Sequence, residues 1–203
     1  GNMSQNYSAI ALGKIGGETA FKSLQGVATK ERTQRGAYAT IGLAMLCDKL
    51  RDKKDDESAA SMRIRGLSTL RAVFKRCKNP QIKGGFAIAL GIARDSEAGP
   101  ILLEAMKKTQ TVGLRGYIAV ALGMINYTSA TDYLSNVLVN ADNLPLLKQQ
   151  VAIGLGLMGN RTVAGELVKQ MKEGSNAFVT TSISKAIGFV GDRDTIQPLA
   201  DMM

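Results

Sequence analysis

The stretch Leu114–Ile125, LRGYIAVALGMI, decides the fold, because the chain repeats it. Altered copies read SAIALGKI at 8–15, QRGAYATIGLAM at 34–45, IKGGFAIALGIA at 82–93, LKQQVAIGLGLM at 147–158 and VTTSISKAIGFV at 179–190. Their aligned glycines are Gly13, Gly42, Gly91, Gly123, Gly156 and Gly188, with successive spacings of 29, 49, 32, 33 and 32 residues. A recurring period in this range marks an array of stacked supersecondary units. Within Leu114–Ile125, the apolar residues Leu114, Ile118, Ala121, Leu122 and Ile125 fall at i, i+4, i+7, i+8 and i+11, which is one face of a helix. A glycine inside a helix costs roughly 1 kcal/mol against alanine. Its return in every copy predicts a packing role, with Gly and Ala letting neighbouring helices approach closely.

Second helical patterns lie between these copies, at 18–29, 61–78, 97–108, 129–140, 161–173 and 194–203. Short turns such as Gly16-Gly17, Arg94-Asp95-Ser96, Gly159-Asn160 and Gly191-Asp192 join the two kinds of helix. Glycine, Asn or Asp just past a helix is a stop signal. Thr33, Ser96, Thr128 or Ser129, and Asp194 are N-cap candidates, and Pro145 opens a helix where proline is tolerated. The unit is therefore helix, turn, helix.

The string (V/L)-(R/K)-x-x-A-x-x-(A/G)-L-G-x-(I/M), followed by a turn and an amphipathic helix, resembles HEAT repeats. It is similar to the small-residue-rich, phycobilisome-lyase-type members of that class, over nearly the whole chain. The resemblance implies an all-α, right-handed superhelical HEAT/armadillo-like α-solenoid of about eleven helices. It also implies that the second helix of each unit lines a concave face. On that convention, residues 1–203 form a single repeat domain with units near 18–46, 61–93, 97–126, 129–158 and 161–191. Half units stand at 4–15 and 194–203. Both ends fall inside repeat helices without polar caps, which predicts a piece of a longer protein. Such arrays serve as scaffolds, adaptors, nucleic-acid binders and some enzymes, so the fold alone does not assign the function.

Residues 47–61, CDKLRDKKDDESAAS, interrupt the period with dense mixed charge. They read as an insertion that either lengthens the preceding helix or loops into solvent. The helix 61–78, SMRIRGLSTLRAVFKRCK, follows. Its apolar stripe reads Ile64, Leu67, Leu70, Phe74 and Cys77; Arg65, Lys75 and Arg76 project opposite, with Arg71 and Lys78 flanking. Asn79-Pro80 closes it. Met62 to Lys83 holds seven Lys/Arg and no Asp/Glu.

The formal charge of +9 is concentrated in the first half, since residues 1–110 carry 19 Lys/Arg against 10 Asp/Glu and residues 111–203 carry 7 of each. A basic patch beside a neutral half fits an acidic partner or a polyanion, and also fits a merely solvated face. A second basic series stands at the start of the repeat helices: Arg35, Lys83, Arg115 and Lys148. In HEAT arrays a basic residue here commonly pairs with an Asp of the preceding turn. The turns before Arg35, Lys83 and Arg115 lack one, and Asp142 before Lys148 keeps it. A cation at a helix start also opposes the macrodipole by some tenths of a kcal/mol. Tyr38, Phe86 and Tyr117 follow on the same helices and could stack bases, though at helical spacing they read as core.

The chain has no histidine, which excludes imidazole bases, histidine triads and His-metal sites. The iron-binding His-Glu pairs of HEAT-repeat deoxyhypusine hydroxylases are thereby missing. Gly154–Gly159, GLGLMG, formally matches GxGxxG, but it is one copy of the repeat helix and follows no strand. Tryptophan is absent, so only the DNA-binding half of an analogy to HEAT-like alkylpurine DNA glycosylases survives. Cys47 and Cys77 read as buried free thiols. No apolar run reaches the roughly 20 residues that span a bilayer. The sequence thus predicts a non-catalytic scaffold without cofactor or metal, binding a protein or peptide partner, acidic in character. Arg35, Lys83, Arg115, Lys148, Arg65, Arg71, Lys75 and Arg76 are the candidate contacts. Nucleic-acid binding is the first alternative, and a lyase- or chaperone-like role toward a cofactor protein is the second.

Overall fold

The computed structural model describes residues 3–30, 33–53, 55–141, 144–159, 165, 168–169, 180–181, 183–184, 187–188 and 196–200. Among them there is no strand, and nine helices have ten residues or more. These are α1 Met3–Ile15, α2 Glu18–Lys30, α3 Gln34–Lys49, α4 Glu57–Arg76, α5 Pro80–Ile92, α6 Gly99–Lys108, α7 Val112–Met124, α8 Thr131–Asn140 and α9 Pro145–Leu157. Single 3-10 turns, Ser96–Ala98 and Thr128–Ala130, lead into α6 and α8, and a short helix spans Ile196–Ala200. Contacts divide the chain into two compact units, Gly1–Ala105 and Met106–Met203. The expected helices at 161–173 and 179–190, and the cap Asp194, lie largely outside the described residues.

In the first unit, α1, α3 and α5 make one row and α2 and α4 a second, with α3 packed against all the others. α3 and α5 run parallel and in register. Near their heads, a Cβ on Gly85 would stand 3.5 Å from the Cβ of Ala37. At their tails, Arg63 of α4 donates from Nε to the Cys47 carbonyl (3.2 Å) and from Nη2 to the Ala93 carbonyl (3.5 Å). Lys49 does the same for α1, donating to the carbonyls of Lys14 (3.1 Å) and Ile15 (3.3 Å). A cation at a helix C-terminus satisfies orphan carbonyls and opposes the negative end of the dipole. Phe21, Leu24, Leu43, Leu46, Leu70, Phe74 and Leu90 fill the core between the rows.

The small residues of the repeat do pack where the structure describes their neighbours. A Cβ on Gly13 would lie 2.8 Å from Gly42 Cα, and one on Gly42 would collide with the Ala9 carbonyl. In the second unit, where α7 packs along α9, a Cβ on Gly123 would lie 2.7 Å from Gly154 Cα. One on Gly154 would meet Ala119 C at 2.8 Å. The close contact in α9 thus falls on Gly154, two residues before the aligned Gly156. At Gly188 an added Cβ would meet none of the described residues within 4 Å.

The repeat also shows in how its helices stop. Arg94 (φ 51°), Asn126 (φ 55°) and Gly159 (φ 67°) take left-handed backbone just past α5, α7 and α9. In the first two, the paired bonds of a Schellman motif form. Arg94 N–H donates to Gly91 O (3.0 Å) and Asp95 N–H to Leu90 O (3.3 Å); Asn126 N–H donates to Gly123 O (3.0 Å) and Tyr127 N–H to Leu122 O (3.0 Å). A 3-10 turn follows each.

The charged stretch 47–61 is helical only at its two ends, with turns and irregular backbone among the described residues between Leu50 and Asp56. α3 continues to Lys49 and α4 begins at Glu57, earlier than position 61, because Asp56 caps it by accepting from Ala59 N–H at 3.0 Å. Cys47, Leu50 and Ala59 are buried at its ends. Asn79 and Pro80 begin α5 rather than simply closing α4: Asn79 Oδ1 accepts from the N–H groups of Gln81 (3.0 Å) and Ile82 (3.4 Å). Ile64 leaves the stripe and is exposed, because Gly66 and Met62 turn that face of α4 inward and a Cβ on Gly66 would collide with the Cys47 sulfur. Both cysteines are buried and free.

Candidate functional site

The eight basic candidates separate into three environments. Two pair with acidic residues of other elements, Arg65 on the surface and Arg71 partly buried. Arg65 lies 3.4 Å from Glu18 Oε1, with its guanidinium 5.0 Å from the Phe21 ring centroid. Arg71 pairs with Glu97 and with buried Asp95, its Nε 3.2 Å from Asp95 Oδ2. Burial pushes the Asp95 carboxyl above its ordinary range against the pull of Arg71. These cations tie α4 to α2 and to the turn after α5. Sequence spacing missed that role because all three acidic partners are distant in the chain.

Lys75 and Arg76, in contrast, are exposed in the last turn of α4, where the dipole favours positive charge. Lys78 is exposed just beyond them.

The other four stand at helix heads. Arg35 and Lys83 lie two residues before the matched positions Ala37 and Gly85, so they occupy the same level on adjoining parallel helices. Lys83 Nζ sits 4.8 Å from the Phe74 ring centroid, a placement that holds the ammonium at the surface over apolar support. Arg35 borders a largely apolar cavity of about 190 Å³ with Leu12, Leu24 and Val27. In the second unit, Gly116 abuts Gln150, which sets Arg115 and Lys148 at comparable levels of α7 and α9. Arg115 borders a cleft of about 310 Å³ against α8. Of the aromatics on these helices, Phe86 is buried, Tyr38 is half-buried and Tyr117 is 42% exposed.

Arg63, like Lys49, has a role that the sequence does not signal. Its neighbours are backbone carbonyls, which carry no residue-type signal. Among the described residues, no group of three or more His, Cys, Asp or Glu side chains is placed to hold a metal ion. No helix there is long and apolar enough to cross a membrane. Burial pushes the Cys47 thiol up to about 12, against nearby Arg63, so it is not a nucleophile at neutral pH. No family model matches the chain, and no curated protein matches it either.

Proposed function

We propose that this chain is a non-catalytic scaffold, a HEAT-like right-handed α-solenoid that binds an acidic protein or peptide. One observation carries the reading: basic side chains stand level with one another at the heads of adjoining parallel helices. Arg35 and Lys83 do so on α3 and α5, and Arg115 and Lys148 on α7 and α9. A helix N-terminus already presents unpaired N–H groups and partial positive charge. A cation there adds to that field, and the sum attracts carboxylates. The seams of Gly and Ala support the same reading, because a close-packed framework holds its side chains in place and lowers the ordering cost of binding.

Nucleic-acid binding is the second reading. It is favoured by the exposed Lys75, Arg76 and Lys78 at the end of α4, a cluster suited to phosphates. A lyase- or chaperone-like role ranks third. The apolar cavity beside Arg35, at about 190 Å³, is smaller than the roughly 300–1,000 Å³ of small-molecule sites.

Fluorescence anisotropy with labelled polyglutamate and with random-sequence DNA and RNA, at low and at physiological salt, separates these readings. Polyglutamate binding that weakens with salt and falls about tenfold in the double variant Arg35→Gln, Lys83→Gln supports the scaffold. Tighter binding of DNA or RNA, lost in Lys75→Gln, Arg76→Gln, replaces it with the second reading.

A further inference from the structure

The cleft beside Arg115 has a more specific chemistry than the other helix heads. Its walls come from Arg115 of α7, from Tyr133, Asn136, Val137 and Asn140 of α8, and from Leu144 just before α9. Arg115 Nε is out of solvent and has no hydrogen-bond partner among the described residues. An unpaired buried donor costs about 1–3 kcal/mol, and more when it is charged. Among the described lining residues there is no carboxylate. The two amides there are turned toward each other, with Asn140 Nδ2 donating to the Asn136 carbonyl at 2.9 Å and to Asn136 Oδ1. A second cation stands nearby, with Lys107 Nζ 5.3 Å from the Tyr133 ring centroid. The cleft is thus a positively charged recess in which the Arg115 Nε lacks an acceptor among the described residues, and Val137 and Leu144 make part of its wall apolar.

We infer that this cleft binds a single carboxylate, presented by a glutamate side chain of a bound peptide. The planar N–H fork of arginine matches a carboxylate, and an ionised acceptor gives the strongest bond to it. With one guanidinium in the lining and Lys107 already seated on a ring, the charge suits a monoanion better than a phosphate dianion. The apolar wall takes the methylene stem of glutamate or a leucine beside it. At about 310 Å³ the recess accommodates a side chain and stands at the lower end of small-molecule sites. This inference rests on the acidic-partner reading and names one of its contacts.

The test follows the Arg115 side-chain Nε–H resonance by NMR in the full chain. It is assigned by its loss in Arg115→Lys. Three probes are titrated: a peptide blocked at both ends with one glutamate beside one leucine, the same peptide with glutamine, and the glutamine peptide with a free C-terminal carboxylate. The glutamate peptide is expected to shift the resonance saturably, the blocked glutamine peptide to leave it in place, and Arg115→Lys to bind about tenfold more weakly without a loss of melting temperature. A shift by the free C-terminus alone would overturn the assignment to a side-chain carboxylate. An unmoved resonance, or equal affinity for the glutamate and glutamine peptides, would overturn the site itself. Glutamate-dependent binding that survives in Arg115→Lys and is lost in Arg35→Gln, Lys83→Gln would sink the cleft while keeping the scaffold. No dependence on glutamate anywhere would sink both.

Discussion

Arg94 holds left-handed backbone at φ 51°, where its equivalent after α9 is Gly159. A side chain in that region costs about 1–2 kcal/mol that glycine does not. Arg94 also lies 3.6 Å from Asp48, but that pair is more than a third exposed and screened by water. Arg94→Gly is therefore expected to raise unfolding stability by about 0.5–1 kcal/mol in urea titration. A loss would mean that the surface pair outweighs the backbone. Asp95, the next residue, gives a pH signature. Burial lifts its folded pKa above the unfolded value, so between the two the folded chain holds a proton that the unfolded chain releases. Its contribution to stability is thus fully present below the unfolded pKa and is lost as pH rises through the folded pKa. The stability of the native protein relative to Asp95→Asn should therefore grow as pH falls into the weakly acid range. The opposite slope would show that Arg71, not burial, governs the carboxyl.

At the scale of the element, the helix seams make the sharpest stability prediction. Gly42→Ala would push a methyl group into the Ala9 backbone, and Gly123→Ala into that of Gly154; neither carbonyl can move without shifting a helix. Each is expected to lose about 1–3 kcal/mol or more. Gly26, inside α2, has open space at its Cβ, so Gly26→Ala should gain about 0.5–1 kcal/mol from helix propensity alone. Equal effects in denaturant titrations would show that the glycines are not packing devices. The repeat copies, their stops and the close packing at Gly13, Gly42 and Gly123 were legible in the sequence, because period and turn chemistry are local signals. Less legible were features set by a neighbour. Ile64 is exposed because Gly66 faces Cys47 instead. Asp56 starts α4 a turn early within a run of charge that looked like a loop. At the site, the basic heads were legible from the repeat, and Arg115 was among them. The division of labour among the arginines was not, since Glu18, Asp95 and Glu97 reach Arg65 and Arg71 only through the fold.

Across the whole molecule, the excess of positive charge in residues 1–110 does not map directly onto a binding surface. Part of it is spent on framework: Arg63 and Lys49 cap helix tails, and Arg65 and Arg71 sit in ion pairs. Lys83 and Arg35 stand at the heads in the first unit, and Arg115 and Lys148 at those of the nearly neutral second unit. The scaffold reading therefore predicts a footprint that follows helix heads rather than charge density. The first N–H groups of a helix lack intrahelical partners and exchange quickly, so a ligand lying over them leaves a clear mark. Hydrogen–deuterium exchange with and without saturating polyglutamate tests this most directly. Protection in the first turns of α3, α5, α7 and α9 is the predicted result. Protection confined to the end of α4 around Lys75 and Arg76, or none at all, would contradict the account.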